Sequence, residues 1–127
     1  MEDNSKAAFA EIFRQRTKKF VVDNIKFFRT LPPTEEAKII GRQLLRSSSS
    51  VGANYRAACR ARSQAEFHAK LSIVVEEADE ALFWMEVLID AGVVVASSLS
   101  ALADEASQIL KIASASRKTV SKNNDVK

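Results

Sequence analysis

The sequence predicts an all-α protein folded as an up-down antiparallel four-helix bundle. Three observations point that way. Only two prolines and three glycines occur in 127 residues, so long stretches lack the residues that break helices. Apolar residues recur at helical spacing in four segments, about 6–30, 35–61, 64–91 and 98–116. Short connections with stop and start signals separate them, which favours antiparallel neighbours. The bundle is expected over residues 1–116. The tail 117–127, RKTVSKNNDVK, has no apolar period and is expected to be disordered.

In the first segment Phe9, Phe13, Phe20 and Phe27 keep one side apolar, with Ile12, Val21, Ile25 and Phe28 beside them. Leu31-Pro32-Pro33 ends it, because proline cannot continue the hydrogen-bond ladder. Thr34 is a suitable N-cap for the second helix, with Glu35 and Glu36 opposing the helix dipole in its first turn. The run Ser47-Ser48-Ser49-Ser50 could be read as a linker. Counting 100° per residue from Lys38 argues otherwise. Ile40, Leu44, Val51, Tyr55 and Ala58 fall between about 200° and 260°, while Lys38, Arg42, Arg46, Arg56 and Arg60 fall between about 0° and 80°. Both stripes keep phase across the serines, so one continuous helix is expected, with small residues that let another backbone approach closely.

Ser63-Gln64-Ala65-Glu66 is a capping box and opens the third helix. Phe67, Leu71, Val74, Ala78, Ala81, Met85 and Leu88 then step at heptad spacing. Gly92 is a natural C′ terminator, and Ser97 or Ser98 would cap a fourth helix carrying Leu99, Leu102, Ala106, Ile109 and Ala113.

Several function classes are disfavoured. No window approaches the ~18 uninterrupted apolar residues of a membrane span. The N-terminus, MEDNSKAAFAEIF, does not read as a secretory signal, and the lone Cys59 cannot form an internal disulfide, so a cytoplasmic location is expected. No phosphate-binding loop, dinucleotide turn or nucleophile elbow is present. Glu76, Glu77, Asp79 and Glu80 superficially suggest a di-iron bundle, but the paired Glu-x-x-His motifs are missing. Neither an enzyme nor a cofactor or metal is expected. His68 is read as an exposed helix residue, Cys59 as a small buried hydrophobe, and Tyr55 as a core tyrosine. Asn54 could bond across a helix interface.

Charge is unevenly distributed. From Arg14 to Lys70 there are thirteen Lys/Arg against four acids, whereas Leu71 to Leu110 holds eight acids and no Lys or Arg. The row Lys38, Arg42, Arg46, Arg56 and Arg60 spans about 33 Å of helix at 1.5 Å per residue. Such a row could follow the phosphates of RNA or DNA, without reading their bases. Alternatively, these cations pair with the acids of the third helix, within or between subunits, and the protein is an interaction scaffold. Ile73, Glu77, Glu80, Trp84 and Val87 share a second flank of the third helix, away from its heptad seam. That flank is either a subunit interface or a wide contact with a neighbouring helix.

Specific short motifs add to this pattern: Gln43-Leu44-Leu45-Arg46-Ser47, Ala53-Asn54-Tyr55-Arg56, the Ser63…Glu66-Phe67 helix start, and Glu77-Ala78-Asp79-Glu80…Phe83-Trp84. In these the chain resembles the four-helix-bundle family of 23S rRNA intervening-sequence proteins, over about residues 9–113. The resemblance implies a bundle assembled as a ring, a homopentamer. It also implies kinship with the accessory variability determinant proteins of diversity-generating retroelements, basic rings that bind nucleic acid and a reverse transcriptase. It supplies no catalytic residues.

Overall fold

The computed structural model describes residues 2–126, with side chains described for 4–120. Four helices occur: α1 Glu2–Phe28, α2 Glu35–Cys59, α3 Gln64–Asp90 and α4 Ser100–Val126. A short 3-10 helix, Ala96–Ser98, precedes α4, and no strand is present among the described residues. Helix α2 packs between α1 and α3, α3 packs against α4, and α1 meets α4 over a shorter contact.

The punctuation works as the residue types dictate. The Thr34 hydroxyl accepts from Ala37 N at the start of α2, and the Ser63 hydroxyl accepts from Glu66 N at 3.0 Å at the start of α3. The Glu66 carboxylate reaches back to Arg62 N at 3.1 Å rather than to the cap residue itself. Gly92 takes φ +73°, a left-handed conformation that costs glycine little, and ends α3. The predicted serine cap of α4 does not form. The Ser98 hydroxyl donates back to the Val95 carbonyl at 2.7 Å, tightening a 3-10 turn, and α4 begins two residues later.

The core follows the predicted seams. Leu71, Val74, Ala78, Ala81, Met85 and Leu88 of α3 are fully buried, and Phe67 is half-buried where the helix begins. Phe13, Phe20 and Phe27 supply the α1 face, and each such ring contributes roughly 1.5–3 kcal/mol on burial. Phe9 departs from the predicted row: it is 48% exposed and stacks on Phe13 at 5.9 Å. Phe13 in turn meets the Tyr55 ring edge-on at 4.6 Å. Tyr55 is buried as expected, and desolvation raises its pKa.

Helix α2 runs unbroken through the polyserine stretch. Ser47 and Ser48 are fully buried, yet neither hydroxyl is left unpaired. Each donates to a carbonyl of its own helix, Ser47 to Gln43 at 3.0 Å and Ser48 to Leu45 at 3.3 Å. The small residues admit α1 closely: a Cβ on Gly52 would lie 2.6 Å from Val21 Cγ2 and 3.3 Å from the Thr17 carbonyl oxygen. A polar pair in α1 escaped the sequence pattern. Thr17 and Asn24 are fully buried, with Thr17 Oγ1 donating to the Arg14 carbonyl and Asn24 Nδ2 to that of Phe20, while Asn24 Oδ1 has no partner among the described residues.

Four further expectations are corrected. The stretch from Arg117 to Val126 continues α4 as helix instead of forming a disordered tail, and Lys127 lies outside the described residues. It contains no proline or glycine, and extending an existing helix needs no new nucleus. Cys59 is exposed, because it is the last residue of α2 and lies off the apolar stripe. His68 is half-buried rather than exposed. Asn54 bonds within its own helix, donating to the Ser50 carbonyl and hydroxyl at 2.9 Å each, so it joins no second helix.

Candidate nucleic-acid interface

Unbroken α2 keeps its cations on one side. Lys38, Arg42, Arg46, Arg56 and Arg60 are all exposed. They are not equivalent. Arg46 turns toward α3 and forms ion pairs with Glu77, at 3.1 Å, and with Glu80. The Trp84 indole also donates to Glu80, at 3.0 Å. That hydrogen bond, followed by Arg46, lowers the Glu80 pKa, and the two carboxylates raise that of Arg46. Arg46 is thus half of a link between α2 and α3, and its charge is largely answered. Among the described residues no ion pair involves Lys38, Arg42, Arg56 or Arg60.

The row therefore falls into two groups with different surroundings. Lys38 and Arg42 stand near the start of α2, whose first turn carries Glu35 and Glu36. Arg56 and Arg60 stand at its end, where α3 begins. There they share a cleft of about 440 Å³ with Arg62 and Lys70, and Glu66 is its one acid. On the other side of α2, a groove of about 330 Å³ runs against α1. Lys18 and Arg14 border it, Val21, Val22 and Gly52 line it, and Arg56 and Ala53 belong to both hollows. The Arg14 guanidinium is held by Glu11 at 2.7 Å, whereas Lys18 has no ion pair among the described residues.

Lys18, Arg62 and Lys70 were not in the predicted row. They sit on α1, on the α2–α3 connection and on α3, so a single-helix angle count cannot associate them. The excess of cations over acids between Arg14 and Lys70 was the available signal.

On α3, Ile73, Glu77, Glu80, Trp84 and Val87 are half-buried. Trp84 packs against the core, and Glu77 and Glu80 face Arg46 of the same chain. Next to them Phe83 is 52% exposed, with its ring edge-on to Trp84 at 4.9 Å. Ile39 is also exposed, on α2. No group of three or more His, Cys, Asp or Glu capable of holding a metal ion occurs among the described residues. No described helix is long and apolar enough to cross a membrane.

A solved structure of a protein with unknown function from the S23 ribosomal protein family of Bacteroides thetaiotaomicron is similar to the chain. It shares 28% identity at a TM-score of 0.78, over 84% of this chain and 98% of that one. No curated protein matches. The family model described as 23S rRNA-intervening sequence protein matches residues 11–115, which takes in most of α1, all of α2 and α3, and α4 as far as its last core residues. With a match of that extent, the chain belongs to the 23S rRNA-intervening sequence protein family.

Proposed function

We propose that this chain binds RNA or DNA through the phosphate backbone, with little sequence preference and without catalysing a reaction, as a cytoplasmic homo-oligomer. The observation that carries the reading is the set of exposed cations on one side of α2, of which Lys38, Arg42, Arg56 and Arg60 have no acidic partner among the described residues. Clustered cations without acids attract polyanions, and each phosphate contact releases counterions. Arg46 completes the row in position, though Glu77 and Glu80 compete for it. The family's name concerns sequences within 23S rRNA, so RNA is the first ligand to test. A ring of copies, a homopentamer, joined through the α3 flank that contains Trp84, would repeat the cationic surface around its axis.

The test is a titration of rRNA-like and random oligonucleotides at several salt concentrations. Affinity is expected to fall linearly on a log–log plot against salt, and the double reversal Arg56→Glu, Arg60→Glu is expected to abolish binding. Wild-type protein that ignores every oligonucleotide at low salt refutes the reading.

A second reading is a protein-interaction scaffold, for example an accessory subunit of a reverse transcriptase. The Arg46 link to Glu77 and Glu80 favours it, because it shows a cation of the row engaged by acids of α3. That reading expects Arg56→Glu to break the oligomer while oligonucleotides never bind.

A further inference from the structure

Two cationic hollows adjoin at Arg56. We infer that a single-stranded phosphodiester backbone crosses α2 at the Ala53–Arg56 ridge. It enters from the α1–α2 groove at Lys18 and leaves through the α2–α3 cleft at Arg60, Arg62 and Lys70. This deepens the nucleic-acid reading above and rests on it.

Three observations converge on a crossing rather than a track along the helix axis. First, the axial row is interrupted. Arg46 sits between Arg42 and Arg56 and is tied to Glu77 and Glu80. Second, the two ends of the row differ in local charge. Lys38 and Arg42 have Glu35 and Glu36 in the same stretch of helix. Arg56, Arg60, Arg62 and Lys70 surround a cleft with a single acid, and the Glu66 carboxylate is already engaged by Arg62 N. Third, Arg56 and Ala53 line both hollows, so the cleft and the groove meet over one turn of helix. Small residues keep that ridge low: Gly52 and Ala53 on α2 lie beside Val22, which is 40% exposed. The groove thus offers an apolar floor with cations at its rim, which suits a base lying beside its own charged backbone.

The geometry selects against a duplex. The hollows adjoin across the Ala53–Arg56 turn, one against α1 and the other against the start of α3, so a ligand filling both crosses α2. A single strand can rest an unpaired base on the apolar groove floor beside its backbone, which a duplex, with its bases paired and stacked inside, cannot do. Cations dominate the rims of both hollows, so the ligand chemistry is the phosphodiester backbone that RNA and DNA share.

The test uses the intact chain, a short oligouridylate, an oligodeoxythymidylate of equal length and a blunt duplex of that length. Lys18→Gln and Lys70→Gln are each expected to lower the slope of log affinity against log salt by about 0.7 for both single strands, the value of one single-strand phosphate contact. Lys111→Gln, on α4 and outside both hollows, is expected to leave the slope unchanged. Lys18 and Lys111 are exposed and Lys70 is half-buried, and circular dichroism verifies that the variants stay folded. Wild-type binding that loses slope with Lys38→Gln and Arg42→Gln but not with Lys18→Gln and Lys70→Gln overturns the crossing while leaving nucleic-acid binding intact. Duplex binding as tight as single-strand binding also overturns it. If wild-type protein binds no oligonucleotide, the parent reading fails as well.

Discussion

Glu80 shows how one residue's chemistry depends on neighbours that the sequence separates widely. It accepts from the Trp84 indole four residues on and from Arg46 on another helix. Both contacts favour the charged carboxylate, so its folded pKa lies below its unfolded one. The unfolded chain then binds the proton more readily, and stability rises with pH across that interval. The contribution is fully present above the ordinary carboxylate range and is lost as pH falls through the lowered folded value. Its size is modest, about 0–1 kcal/mol, because the Glu80 side chain is 37% exposed. Glu80→Gln is expected to flatten the acid limb of a Tm–pH profile, with Trp84 fluorescence reporting the same transition. Parallel profiles for the two proteins would reject this account. Trp84 and Glu80 were legible as a shared flank of α3. Arg46, the partner of Glu80 on α2, was visible only as one member of a row.

Among the elements, α2 decides the most. Its phase across the serines was readable because two independent stripes, apolar and cationic, agreed about rotation. The reason the serines are tolerated was less readable: Ser47 and Ser48 satisfy their hydroxyls within the helix and leave room for neighbours. The glycines test that close packing. An added Cβ at Gly52 meets Val21 and the Thr17 backbone, which cannot withdraw without moving α1. At Gly41 it meets the tip of Leu31, in the α1–α2 connection, and the Phe28 ring, which are side-chain atoms that can turn aside. Gly→Ala in a helix otherwise gains about 1 kcal/mol, while overpacking costs about 1–3 kcal/mol. Gly52→Ala is therefore expected to lower the urea midpoint and Gly41→Ala to leave it nearly unchanged. Equal effects would show that α1 shifts freely against α2. The fourth helix was the least legible element. Its core positions Leu99, Ala106, Ile109 and Ala113 were found by period. Its end was placed too early, because polar composition was read as disorder where helix propagation continues.

At the scale of the whole molecule, assembly is the property to test. The α3 surface beside Trp84 keeps Phe83 half-exposed, and Trp84 itself is partly committed to its own chain's core. If that surface joins copies, Phe83→Ser is expected to reduce the oligomer mass measured by light scattering without lowering Tm, since Phe83 lies outside the core. Trp84→Ala is expected to reduce both. Unchanged mass for folded Phe83→Ser would remove this flank as the contact. The cationic surface is likewise a property of the whole. Lys18, Arg56 and Lys70 stand on three different helices, and only packing makes them neighbours.

By itself the sequence determined the helices, their apolar faces and the family, because periodicity, caps and breakers act over a few residues and short motifs are read directly. The tertiary structure decided which charges remain available. Pairing depends on distances across helices, and a count around one helix cannot distinguish Arg46, answered by acids on α3, from Arg56, set between two open hollows.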